Sequence, residues 1–449
     1  MTALTVLITI AVAYLLVAYA LGGPFVFARR MVMAMSRRRS RYRPPQDDAL
    51  ASSRFTIPVS VIVYTDGQDE AAATAGHLLT LNYPEFEVIV VNDGTLSVLS
   101  RLREQFQLSA CEIFYRRALD TSPVRGIYRS TTDPRLLVLD CATETAGDAL
   151  NCGVNLARYR YVCCADLRAR YKRDALLESM HAAVEDPAMV IGVTTTITPP
   201  VNPAEGDGDA ARVTPLRPTL ERLSASRALL TRSRSRALML VGQPLSGFTI
   251  WRRDALIEVG GFDAHRPEQL EITFRMHRHH LREGRRYRIV HIAEPIGTAV
   301  DEAALTHLLA RQQNQQHALG GLLWRYRSLL LNPRYGSLGL VDLPRYLFST
   351  FFVPWFELLC LAALPFAPLV GVLTGRQFLL VLAALGLGNA ILLNTALLTG
   401  SPAVQQERAL RRFIMLGPIE LFVSRPVQLY SRLTGMFRMF GRSASAHAN

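Results

Sequence analysis

YRYVCCADLRARYKRDAL, residues Tyr159 to Leu176, decides how the rest of the chain is read. YVCCAD is an apolar run of strand length closed by an acidic residue, Asp166, and RDAL beyond it opens a helix. Strand, acidic corner and helix form the repeating unit of an α/β sheet. The same unit recurs on the N-terminal side. VSVIVYT (Val59–Thr65) and FEVIVVNDGT (Phe86–Thr95) read as strands, the second ending in a turn. AAATAGHLLTLNYP begins as a helix, and LSVLSRLREQF is a helix. RLLVLD (Arg135–Asp140) is a strand, joined to YVCCAD through the helical AGDALNCGVNLAR. Near-continuous apolar strands separated by helices predict a mostly parallel sheet covered on both faces. Ligands of such sheets bind outside the carboxyl ends of the strands. Asp93, Asp140 and Asp166 fall there.

Outside this region the chain is apolar in a different way. It has 449 residues, 49% of them hydrophobic, and its mean hydropathy is positive. Ala3 to Phe27 carries no charge and is long enough to span a bilayer. The Arg-dense ARRMVMAMSRRRSRYRPP follows it, where a secretory signal would carry its charge in front. That order predicts an anchor with its N-terminus outside and the following residues in the cytoplasm. Leu347–Leu373 and Phe378–Leu398 form a second apolar pair, read as a tight hairpin of spans. The expected organisation is an anchor over 1–28, a basic juxtamembrane linker over 29–56, an α/β domain over 57–336 and a membrane hairpin over 337–400. The basic, amphipathic tail over 401–449 is expected to lie at the membrane interface, the alternative being a fourth span.

The net charge is +13, and Lys172 is the only lysine, so Arg supplies the other 49 of the 50 basic residues. A basic protein of this kind meets lipid headgroups or phosphorylated ligands; its basic runs lack the interleaved aromatics and motifs that nucleic acid would require. The six cysteines show no CxxC spacing, which argues against zinc or redox motifs. On a strand, Cys163 and Cys164 face opposite sides of the sheet.

Several segments, in this order and spacing, resemble the family 2 glycosyltransferases. They are VSVIV, LNYPEFEVIVVNDGT, TAGDALNCGVNLARYRYV, LSGFTIWRRDALIEVGGFD, FRMHRHHLREGRRYRIVHIAEP and WRYRSLLLNPRYG. The similarity is to the membrane-bound branch that includes cellulose, hyaluronan and poly-N-acetylglucosamine synthases, and it covers nearly the whole chain. It implies a GT-A fold, Rossmann-like with a mostly parallel sheet, in a cytoplasmic domain combined with transmembrane helices. It also implies a nucleotide-sugar donor, most simply a UDP-sugar, and Mg²⁺ or Mn²⁺ if the protein is active.

The motifs that would carry the chemistry depart from the family. At the first strand's turn the family reads PAYNEE, whereas here Tyr64-Thr65-Asp66-Gly67-Gln68-Asp69 keeps only acidic character, with Asp66 a candidate nucleotide contact. Asp93 matches the second nucleotide-contacting Asp, although Asn-Asp-Gly also favours a turn by itself. Placing RDAL (Arg173–Leu176) on the family's PDAL puts Asp166 on the first position of the metal-binding Asp-x-Asp and Arg168 on the second. A guanidinium cannot ligate a cation, but it can pair with a phosphate. Asp166 alone is left as a candidate metal ligand. In PEQLEITFRMHR, Glu268 falls on the Glu of the family's Glu-Asp and Gln269 on the Asp that takes the acceptor proton. A carboxamide is no general base. His277, His279 and His280 further along read as solvated helix residues. The acceptor motif Gln-x-x-Arg-Trp keeps Gln312, but Gln315 and Gln316 stand where Arg and Trp belong.

Four altered sites on a retained framework set the functional expectation. The first reading is a multi-pass protein of the bacterial inner membrane that has lost ordinary metal-dependent turnover. It would act as a pseudoenzyme or partner subunit of an active synthase in exopolysaccharide or cell-surface glycan synthesis. The alternative is an active, atypical inverting transferase that moves a sugar from a nucleotide-sugar to a glycan or lipid acceptor, with Arg168 on the diphosphate. A third class, a basic membrane anchor without a sugar role, has only the charge in its favour.

Overall fold

The computed structural model describes residues 3–28, 56–68, 70–143, 145–198, 248–263, 269–299, 321–400, 418–430 and 433–434. The chain divides into two compact units. One comprises Pro44–Val201 and Met239–Asp301, the other Met1–Arg43, Asn202–Leu238 and Glu302–Asn449.

The first unit is built on one ten-stranded sheet in the order β3-β4-β5-β2-β1-β6-β9-β8-β10-β7. In chain order these are β1 (Val59–Tyr64), β2 (Phe86–Asn92), β3 (Leu108–Ala110), β4 (Val124–Ser130), β5 (Leu136–Cys141), β6 (Tyr161–Ala165), β7 (Ala169–Tyr171), β8 (Val190–Thr198), β9 (Phe248–Arg252) and β10 (Arg288–Ala299). β5, β2, β1 and β6 pair in parallel, as do β8 and β10. β4, β9 and β7 run against the rest, so seven of the ten strands point one way. The expected mostly parallel sheet is present, with three reversed strands inserted. The polar β4, VRGIYRS, carried no apolar run by which the sequence could announce it.

Alternation along the central strands supplies both faces. Val59, Val61, Val63, Val88, Val90 and Cys163 point to one side. There they pack on α2 (Ala71–Leu79), α3 (Leu96–Phe106) and α5 (Ala175–Glu185), reckoning Ala3–Ala28 as α1. Ile62, Ile89, Leu137, Leu139 and Cys164 point to the other side. They meet α4 (Ala146–Leu156), α6 (Arg253–Glu258) and α7 (Gln269–Arg282). The adjacent cysteines therefore do face opposite sides, and all six cysteines are free thiols. On β2 the fully buried Glu87 accepts hydrogen bonds from Ser60 Oγ (2.6 Å) and from Arg158 Nε (2.8 Å). A buried carboxylate is tolerated only with such partners.

The histidines of α7 correct the expectation of solvated side chains. His277 and His280 are buried, and His279 alone is half-exposed, 3.3 Å from Glu283. Ile272, Met276 and His280 recur every four residues along the stripe that packs on the sheet, so helical periodicity carries the imidazole inward. His277 Nδ1 shares a hydrogen bond of 2.5 Å with the Tyr287 hydroxyl. Burial pulls His277 down to about 4, and it does the same to His291 of β10, whose Nδ1 meets Thr194 Oγ1 at 3.0 Å.

Among its described residues the second unit contains three helices long and apolar enough to cross a membrane: α1, α8 (Leu338–Phe366) and the 375–393 part of α9 (Gly375–Gly400). Leu15, Cys360, Leu364 and Leu385 form their shared core. Residues 418–430 are helical too. Leu421 and Leu429 are fully buried, and Glu420 and Arg425 turn onto the apolar helices.

Two outcomes follow from this packing. A Cβ at Gly153 of α4 would lie 2.6 Å from Ile62 Cγ2 of β1. Gly153→Ala should therefore destabilise the α/β unit by about 1–3 kcal/mol, read as a lower unfolding midpoint. The buried histidines stay neutral in the folded state down to about pH 4, while the unfolded chain takes up protons from about pH 6.5. Stability should be full above that value and fall as the pH drops from about 6.5 to about 4, by up to ~3 kcal/mol per histidine. His277→Gln should flatten the fall by about one proton in a series of unfolding midpoints against pH.

Candidate functional site

The carboxyl ends of β1, β2, β5 and β6 lie side by side, with Thr65, Asn92, Asp140 and Asp166 at or just beyond them. Beneath the turns is a buried rail. Asn92 Nδ2 donates to Asp140 Oδ1 at 2.7 Å and to the Thr95 carbonyl at 3.3 Å, while Thr65 Oγ1 reaches Asn92 Oδ1 at 3.4 Å. All three side chains are buried, so Asp140 works within the sheet edge as a structural acceptor.

The turn after β1 is tight. Asp66 and Gly67 both adopt left-handed backbone angles, φ +47° and +64°. Asp tolerates this region better than most residues, and Gly enters it freely. Asp66 is exposed, and its Oδ2 accepts a 3.5 Å hydrogen bond from Gln68 Nε2. After β2, Asp93 Oδ1 accepts from the backbone N–H (3.2 Å) and the hydroxyl (2.6 Å) of Thr95, which closes an Asx turn. Its other oxygen lies beside Gly67, where a Cβ would be 3.6 Å away. The two turns thus bring Asp66 and Asp93 to one place. Tyr64 reports this: burial and then the nearby charges of Asp93 and Asp66 push its hydroxyl up to about 12. Arg125 of β4 lies against the same turn, its guanidinium near the Cα of Gly94.

After β6 the corner is built around Asp166. Its N–H donates to Tyr171 Oη at 2.7 Å, and the hydroxyl donates back to its carbonyl at 3.2 Å. Its carboxylate Oδ1 accepts the backbone N–H of Arg168 at 2.9 Å. The half-buried Arg168 side chain reaches back across the strand ends, and its Nε donates to Gln68 Oε1 at 3.3 Å. Gln68 therefore links the first turn to the third, holding Asp66 with its amide nitrogen and Arg168 with its oxygen.

A divalent cation of the Mg²⁺ or Mn²⁺ kind needs carboxylate oxygens that converge with phosphate. Among the described residues no group of three or more His, Cys, Asp and Glu side chains does so. At this corner one carboxylate stands beside a guanidinium that would repel the ion, and one of its oxygens already serves the Arg168 N–H. These residues do not fit such a cation. They suit an anion better, because a guanidinium fixed at the strand ends offers charge-assisted donors of the right geometry to a phosphate.

Of the sequence-derived candidates, Asp66, Asp93, Asp166 and Arg168 come together at these strand ends. Gln269 is the first residue of α7. Glu268, Gln312, Gln315 and Gln316 lie outside the described residues. Gln68, Thr95 and Arg125 belong to the site's geometry and were not singled out from sequence. Gln68 sits in the quoted turn and could have been found there, whereas Arg125 lies on the strand that the pattern did not reveal.

No family model matches the chain, and no curated protein matches it in sequence. Solved structures do match. A mannosyltransferase, PcManGT from Pyrobaculum calidifontis in complex with GDP-Man and Mn²⁺, is similar over 96% of this chain and 99% of its own, at 16% identity and a TM-score of 0.50. TarS 1-349 of S. aureus in complex with UDP-GlcNAc is similar over 84% and 92%, at 13% identity and a TM-score of 0.40. Glucosyl-3-phosphoglycerate synthase of Mycobacterium tuberculosis is similar over 63% and 85%, at 16% identity and a TM-score of 0.38. The chain thus has the glycosyltransferase fold of GT-A type, a conclusion that rests on the first of these.

Proposed function

We propose that this chain is a membrane-embedded glycosyltransferase-like protein of the synthase branch, which binds a nucleoside diphosphate sugar at the ends of β1, β2 and β6 but has lost ordinary metal-assisted transfer. It acts as a partner subunit in the synthesis of a bacterial cell-surface glycan, with its α/β domain on the cytoplasmic side of the inner membrane. The observation that carries the reading is Arg168. It occupies the second position of the metal motif and is held there by Gln68, so the corner presents a fixed cation in place of a cation ligand. The GT-A fold and the pairing of Asp66 with Asp93 support a nucleotide ligand. The Gln at position 269, where a base is required, supports loss of turnover. UDP-sugars and GDP-sugars are both candidate ligands, the latter because the mannosyltransferase of similar fold is in complex with GDP-Man.

The same arginine favours a second reading. A guanidinium beside the diphosphate can stabilise the leaving group's charge without a metal ion, which would leave an atypical but active transferase. The acceptor would then be a glycan or a lipid.

Calorimetric titration of the full chain in detergent, against UDP, GDP and their common sugars with and without Mn²⁺, separates these readings. Binding should not require Mn²⁺. It should weaken roughly tenfold or more in Arg168→Ala, the effect of losing one charge-assisted contact. Asp93→Asn, which keeps the turn but removes the charge, should also weaken it. Nucleotide-sugar bound without release of free nucleotide supports the partner subunit. Release without Mn²⁺ that disappears in Arg168→Ala selects the atypical transferase. Silence across the panel overturns both.

A further inference from the structure

Two buried carboxylates that the candidate site does not use, Glu357 and Glu420, lie in the helical unit, where charge is costly. Glu357 of α8 is 4% exposed. Arg425, in the segment 418–430, donates to both of its oxygens, from Nε to Oε1 at 2.7 Å and from Nη2 to Oε2 at 2.8 Å. The hydroxyl of Tyr19 in α1 donates to the same Oε1. Five residues before Arg425, the fully buried Glu420 accepts 2.9 Å from Nδ2 of Asn389 in α9, which is also fully buried. Pro418 packs on Gly386 of α9, where a Cβ would lie 3.0 Å from its Cγ. One short segment is thereby tied directly to α8 and α9 and, through Glu357, to Tyr19 of α1.

The depth of these ties is set by chain position. Tyr19 stands nine residues from the nearer end of α1, Glu357 nine from that of α8 and Asn389 eleven from that of α9. At 1.5 Å per residue each anchor is about 13 Å or more from a helix end. A helix lying in the interface sinks only about 5–10 Å. In hydrocarbon neither Glu357 nor Arg425 can remain charged alone, and a bidentate pair with an added hydroxyl satisfies both.

We propose that residues 418–430 form a membrane-buried helix, latched among α1, α8 and α9 by the Arg425–Glu357–Tyr19 cluster and the Glu420–Asn389 contact. The C-terminal segment is then a fixed part of the membrane anchor. The proposal rests on reading α1, α8 and α9 as spans and is independent of any sugar chemistry.

Depth measurement by spin label tests it in the full chain, reconstituted in lipid vesicles with Cys111→Ser as background. Val423 is 59% exposed on the C-terminal segment, and Leu359 is 62% exposed on α8 near Glu357. Labels at Val423→Cys and Leu359→Cys should both be relaxed by oxygen and shielded from a water-soluble nickel chelate. Nickel access at Val423 alone places the segment at the interface and overturns the latch. Nickel access at both positions overturns the spanning reading beneath it as well. Charge reversal supplies a second reading. Glu357→Arg and Arg425→Glu should each lower the unfolding midpoint or the yield of folded protein, and their combination should recover most of the loss. Losses that merely add would overturn the pairing.

Discussion

Asn92 donates a 2.7 Å hydrogen bond to Asp140 across the carboxyl ends of β2 and β5, and the turns of the candidate site are suspended from that contact. The same amide nitrogen reaches the Thr95 carbonyl, and its oxygen meets Thr65, so three strand ends share one buried side chain. Each of these groups lies out of water, where an unsatisfied polar atom costs roughly 1–3 kcal/mol. The network is therefore held or lost together. It fixes where β1 and β2 stop, and so where Asp66 and Asp93 project. The parallel pairing of β1, β2 and β6 then brings the Asp166 corner alongside.

On this frame the site has an unusual charge pattern. A metal-dependent corner would collect carboxylates and let the cation cancel their repulsion. Here Asp66 and Asp93 share one side, and Arg168 stands at the Asp166 corner, with Gln68 bridging the two. The positive charge is covalently attached and hydrogen-bonded in place, so it needs no ion to assemble. A guanidinium of this kind can hold a diphosphate, but it neither activates a water nor accepts a proton at neutral pH.

In the helical unit, among the described residues, the buried Glu357 is paired with Arg425 and the buried Glu420 with Asn389. Leu421 and Leu429 fill the apolar contacts of the C-terminal segment, while Arg425 and Glu420 supply its directed ones. Apolar packing alone specifies position weakly among helices that are apolar all round. A bidentate ion pair at one depth specifies it sharply.

Runs such as FEVIVVN and YVCCA carried the central strands in full view, because a strand buried on both faces must be apolar throughout. Asp66, Asp93, Asp166 and Arg168 could be placed at strand ends for the same reason. The unbroken stretch from Ala3 to Phe27 likewise declared a membrane-length helix by composition alone. The polar β4, with its Arg125, escaped notice because its residues lack an apolar period. The buried state of His277 and His280 also went unseen, since an imidazole looks alike in sequence whether solvated or packed. Only the tertiary structure decided that Gln68 joins two turns and that Arg425 finds Glu357, which lies 68 residues earlier in the chain. Local sequence fixes period, burial tendency and charge. Which distant polar groups satisfy one another is settled when the packed core leaves each of them a single partner within hydrogen-bond reach.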